Sequence, residues 1–181
     1  MQEIAEAAGL GRRTLFRHFD SRDVLIAEAL SSALDWYDVR VQKMAESDEP
    51  FESWLLELVS RIHDLHRSAG RGLWQLAASD DHDFGHEIAA VNRRRRTKRR
   101  AATGDIADSA WRRAGGIGTC PAVVHDACAL TISSFATHSM INDYGRDAQA
   151  VALCTAAMLG ALIRTEVVAR VRNSDRGKKR N

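Results

Sequence analysis

Residues 11–19, GRRTLFRHF, crowd three arginines, a threonine and a histidine into about two helical turns. At roughly 100° per residue, Arg13 and Arg17 point away from a Leu15/Phe19 stripe, Thr14 and Phe16 sit on its shoulders, and Arg12 lies in the first turn. Such a face suits DNA. The arginine fork pairs bidentately with guanine N7 and O6, and Thr14 and His18 are placed to reach phosphate oxygens along a groove wall. An amphipathic surface helix with its charges in solvent has the same pattern, so the preceding segment decides how the stretch is read.

That segment, IAEAAG (4–9), places Ile4, Ala5 and Ala8 on one helical side with Glu3 and Glu6 on the other. Gly9 supplies the left-handed residue that ends a helix, and Gly11 is tolerated as the cap of the next. Two short helices joined by a glycine turn, the second with cations opposite its apolar stripe, have the geometry that enters a major groove.

The run I-A-x-x-A-G-L-G-x-x-T-L-F-R-H-F followed by S-R-D-x-L-I resembles the signature of the tetracycline-repressor (TetR) family, and the match ends near residue 26. The resemblance implies that Thr14 and His18 contact phosphate, that Arg12, Arg13 and Arg17 face bases or backbone, and that Arg22 holds a further phosphate. Ser21 would cap the third helix, with Asp23 in its first turn. Phe16 stands where the family usually has tyrosine, keeping the packing and losing a hydroxyl, and Gly11 stands where serine is common. The family also has a whole helix before this motif, so with Met1 inside the second helix the expected unit is truncated. Part of the apolar cover of Ile4, Leu15 and Phe19 would be missing. The resemblance further implies double-stranded DNA with a palindromic operator as partner, a small-molecule effector, and a homodimer through the last two helices. The alternative is a ligand-binding or dimerisation protein that has lost DNA binding with that first helix.

The elements that must position this face span 181 residues, 45% of them hydrophobic, with two prolines and no alternating strand pattern. The expected fold class is all-α: a helix-turn-helix unit over 1–44, a helical ligand-binding and dimerisation domain over 45–172, and a basic disordered tail over 173–181. A helix from about Ser21 fades near Pro50, and Phe51, Leu55, Leu58, Ile62 and Leu65 then repeat at 4, 3, 4, 3. A short helix carries Trp74, and a long one carries Ile88, Val91, Ala102, Ile106 and Trp111. Pro121 opens a stretch over 122–143, and a last helix spans about 147–171. Ala148, Val151, Ala152, Thr155, Leu159 and Leu162, with Ala127, Thr131, Ser134 and Ser139, offer small-residue faces that suit an intrachain core as well as a dimer.

The net charge of +2 hides a segregation. Seven cations lie within 93–100, and the other 19 basic residues face 24 acidic ones. Eight successive residues wrap more than two turns, so this run reads as the solvated face of a long helix. Three cysteines make no disulfide framework and no signal-like segment opens the chain, which points to a reducing cytoplasm. The apolar stretch 150–163 is shorter than the roughly 20 residues a bilayer needs, so no membrane is expected.

Other constellations carry less. His63 with His66 and His82 with His86 have spacings that can present imidazoles to a metal, yet histidines near acids usually lie in solvent, and no metal site is expected. No phosphate-binding glycine loop, nucleophile elbow or cysteine nucleophile signature is present, so no enzyme, catalytic residue or cofactor is expected either. Trp54, Trp74, Trp111, Phe135 and His138 fall on four different expected helices of the second domain, as an aromatic pocket with one polar group requires, and Leu58 and Ile62 join them as candidate ligand-binding residues.

Overall fold

A computed structural model describes residues 1–45, 48–68 and 85–178, with side chains described up to 35, over 48–68 and over 85–172. Every regular element among them is helical: α1 (Gln2–Ala7), α2 (Arg12–His18), α3 (Arg22–Ala45), α4 (Phe51–Ser68), α5 (His86–Arg113), α6 (Ala122–Thr131), α7 (Ser134–His138) and α8 (Ala148–Lys178). A single π-helical turn, Ser139–Asp143, follows α7.

The turn between α1 and α2 forms as its glycine requires. Gly9 adopts φ +66°, and the Leu10 N–H reaches the Ala5 carbonyl at 2.9 Å. Gly11 precedes α2 in extended conformation with no side-chain cap. The second helix ends one residue sooner than its stripe suggests: Phe19 is extended (φ −133°) and half-buried, leaving Leu15 as the buried residue of α2. Ser21 caps α3, its Oγ accepting the Val24 N–H at 3.1 Å.

From there α3 lies along the first half of α5, where Ala27 and Ile88 pack with Ile26, Leu30 and Val91. Polar bonds fix the register. Arg94 donates to Ser31 Oγ at 2.6 Å and to Asp35 at 2.7 Å, and Lys98 donates to Asp35 at 2.8 Å.

The second half of α5 joins the main core. All five residues of the α4 stripe are buried, together with Trp54 and Val59, against Ile106, Ala107, Ala110 and Trp111 of α5, Val124 and Cys128 of α6, and Ala152, Leu159 and Ile163 of α8. Gly116 lies so close to the Trp111 indole that a Cβ there has no room.

Residues 122–143 do not form one continuous helix. The Thr131 and Ser133 hydroxyls donate to the Ala127 and Leu130 carbonyls at 2.7 and 2.8 Å, diverting acceptors from the helical ladder. Ser133 Oγ then accepts the Ala136 N–H and starts α7 afresh. The last helix runs to Lys178, six residues past the boundary expected at 172. By length and composition Ala148–Arg172 is apolar enough to cross a bilayer, whereas the 150–163 run within it is by itself too short. Its inner face, Val151, Ala152, Thr155, Leu159 and Ile163, is buried in the bundle.

Candidate nucleic-acid interface

Only Ala5 and Leu15 are buried in α1 and α2, and nearly everything else on these two helices faces outward. Arg12, Arg13, Phe16, Arg17 and His18 are exposed and Thr14 is half-buried, while Arg22 is exposed at the first position of α3. Arg12 lies over the Phe16 ring, its guanidinium carbon 5.4 Å from the centroid, so the phenyl group steers a cation even without a hydroxyl. At Gly11 a Cβ would meet Thr14 Oγ1 at 3.8 Å, an ordinary contact, so the serine common in the resembling family has room there. The acidic residues within 1–29, Glu3, Glu6, Asp20, Asp23 and Glu28, all lie outside α2, and Glu6 accepts from Gln2 at 2.6 Å. The resulting surface is short and cationic.

The arginine run of α5 is not simply a solvated face. Its residues point around the helix and do several jobs: Arg94 and Lys98 clamp Asp35 of α3, Arg99 donates to the Ala129 carbonyl at 2.8 Å, and Arg95 is buried beside Asn92 at 3.0 Å. The Lys98 bond, helped by the charge of Arg94, holds the Asp35 carboxyl below the usual carboxylate range. Local spacing does not announce the roles of Asp35 and Ser31, because their partners stand about 60 residues away in the chain.

Four of the expected ligand-lining residues do come together. Trp54, Leu58, Ile62 and Trp111 share the main core, each about 1% exposed, and pack against one another's neighbours. Arg113 covers the Trp54 ring at 4.8 Å, and the indole N–H groups of Trp54 and Trp111 find no partner among the described residues. Phe135 is 63% exposed on α7 and His138, half-buried, bonds Asn142, so neither joins the four. Trp74 and His82 lie outside the described residues. A cleft of about 360 Å³ opens elsewhere, between α5 and α6, lined by Arg96, Arg99, Arg100, Thr103, His125 and Asp126 among others.

His63 and His66 are not in solvent as expected. Both Nδ1 atoms converge on Thr137 Oγ1, at 2.7 and 3.1 Å, and the Thr137 hydroxyl donates to the Ser133 carbonyl, so the imidazoles are the donors. Burial lowers the His63 pKa to about 4 and that of His66 to about 3, the latter pressed further by His63 and Arg99. Both rings are therefore neutral at pH 7.

With this geometry in hand, comparison with known families gives one match: residues 1–29 fit the model described as bacterial regulatory proteins, tetR family. The matched span covers α1, the glycine turn, α2, the Ser21 cap and the first two turns of α3. No curated protein and no solved structure matches the chain.

Proposed function

We propose, from the match of residues 1–29 to the model of tetR-family bacterial regulatory proteins, that the chain is a DNA-binding transcriptional repressor, dimeric and released by a small molecule. The observation that carries this reading is that the matched residues fold as two helices around a Gly9 turn with Arg12, Arg13 and Arg17 all exposed on the second. In this reading Arg13 and Arg17 read base edges, Thr14, His18 and Arg22 hold phosphates, and Arg12 with Phe16 lies against the backbone. Each chain of the dimer offers one α2 to one half of a palindromic operator.

The dimer reading draws on α8. Away from the core it leaves Leu153, Met158, Val168 and Val171 between 42% and 58% exposed, apolar side chains spread along and around one long helix. A groove beside it, between α4 and α8, is floored by Leu55, Leu56, Leu153 and Ala156 and edged by the Arg164–Glu52 pair at 2.6 Å. Control by a small molecule draws on the α5–α6 cleft, whose volume falls in the range of ligand sites. It flanks the helix that clamps α3, so a ligand favouring one position of α5 shifts the spacing of the two recognition helices.

Selection of duplexes from a random-sequence pool tests the reading. Enriched sequences should carry two half-sites with centres about 34 Å apart, one helical turn. A pool that shows no enrichment, or enriched duplexes bound no better than random ones, overturns it.

A further inference from the structure

Where α5 ends and α6 begins, three side chains of metal-ligating type meet. Asp108 sits one turn before the end of α5, Cys120 just precedes Pro121 in the connecting loop, and His125 stands on the first turns of α6. Their ligand atoms all lie within 4.8 Å of one another, and His125 Nε2 is 3.2 Å from Asp108 Oδ1. We propose that Asp108, Cys120 and His125 form a site for one zinc-class divalent transition-metal ion.

The donor set sets the class of ion. A thiolate and an imidazole favour zinc, cobalt or nickel over magnesium or calcium, whose preference is for oxygen. Metal–ligand bonds of 2.0–2.3 Å in a tetrahedron separate ligand atoms by about 3.5 Å. The Asp108–His125 pair already meets that distance, and closing the rest takes a change of about 1 Å. Asp108 and His125 can supply it, because their side chains are 45% and 36% exposed and the solvent side leaves them free to turn. Cys120 is the fixed member, 7% exposed, with its sulfur 3.6 Å from the Ala107 carbonyl and 3.8 Å from that of Pro121. Binding releases the thiol proton, and any proton carried on His125 Nε2, to water, and replaces the Asp108–His125 contact by two metal bonds. Three protein ligands leave a fourth position open to water or a small anion, the arrangement of an exchangeable site rather than a closed structural one.

The ion would tie the end of α5 to the start of α6 across the 115–121 loop, whose present contacts include the packing of Trp111 on Gly116, the Gly115 and Gly116 N–H bonds to the Arg112 and Trp111 carbonyls, and buried Cys120. It should therefore stabilise the bundle in proportion to its own binding.

The test is cobalt(II) titration of the reduced, metal-free full chain, followed by zinc competition. One cobalt per chain should bind with thiolate-to-cobalt absorption in the near ultraviolet and tetrahedral bands in the visible, and zinc should abolish both. Cys154→Ser should keep the absorption and Cys120→Ser should lose it. Should Cys120→Ser lose its helical circular dichroism, Asp108→Asn and His125→Gln decide, each expected to weaken binding at least tenfold on a folded chain. The proposal is overturned by a wild-type chain without the thiolate band, by a band that survives in Cys120→Ser, or by Asp108→Asn and His125→Gln binding as wild type. Because no DNA is used, the outcome is independent of the DNA-binding reading.

Discussion

The α1–α2 unit and the α4–α5–α8 bundle divide the work of the chain between them. The first buries Ala5 and Leu15 and turns its arginines outward, whereas the second buries two tryptophans, an array of leucines and isoleucines, and even a histidine. In the proposed reading α2 meets phosphates and base edges, so it cannot also bury those side chains, and its stability has to come from elsewhere. The helix that follows it in the chain, α3, is fastened to α5 by Asp35 and by the Ala27–Ile88 contact.

The sharpest way to break this division is to place a charge on each face of α8. Leu159 is 2% exposed within the core, so Leu159→Arg buries an unpaired cation and should unfold the bundle, seen as loss of helical circular dichroism. Met158, its neighbour in sequence, is 58% exposed. Met158→Glu should leave helicity intact and turn the dimer into a monomer in sedimentation at micromolar concentration. A wild-type monomer there removes the α8 dimer altogether.

A milder challenge to the bundle is acid. His63 and His66 have folded pKa values of about 4 and about 3, below the unfolded value near 6.5. The unfolded chain therefore takes up protons first, and the stability contributed by neutral burial is complete above pH 6.5 and lost as pH falls toward 4 and then 3. Each histidine should cost up to about 1.4 kcal/mol per pH unit within its window. Urea midpoints measured between pH 7 and pH 4 check this, and a His63→Gln, His66→Gln double variant should flatten the slope.

On the other side of the comparison, Arg13→Ala and Arg17→Ala should each weaken specific DNA binding by about 1–3 kcal/mol while leaving the urea midpoint unchanged. Salt titration sorts their roles: losing a phosphate contact reduces the steepness of log K against log salt by about one and weakens binding to all sequences alike. Unchanged operator affinity in both variants would remove α2 from the interface.

The smallest expected effect sharpens the boundary. Ser21→Ala removes the cap of α3 and should cost about 1 kcal/mol. Amides of α1 and α2 should already exchange faster than those of 148–171, because so little apolar surface shields them, and the variant should widen that gap. Equal protection of the two segments would show the reading unit to be as firmly held as the bundle.

Local chemistry made much of this legible. Gly9 had to adopt positive φ once two apolar-spaced segments met there, Ser21 had to cap the helix it precedes, and a 4, 3, 4, 3 stripe on Phe51–Leu65 had to be buried along one side. The arginines of α2 could be assigned an outward direction because helical spacing sets it relative to Leu15. The 122–143 segment was less legible. Thr131 and Ser133 compete with the backbone for the carbonyls of Ala127 and Leu130, and whether such a hydroxyl bonds back or faces away is not written in the pattern of apolar residues.

The sequence by itself therefore determined the helical class, the helix-turn-helix and the cationic face, since each depends on residues within a few positions of one another. Tertiary structure decided the rest. It chose which face of α8 enters the core, turned Arg94 and Lys98 toward Asp35, and drew His63 and His66 onto Thr137 from more than 70 residues away. It also set Asp108, Cys120 and His125 side by side at one helix junction. These outcomes depend on how whole helices pack, and a charged or polar side chain takes its partner from whatever that packing brings within hydrogen-bond reach.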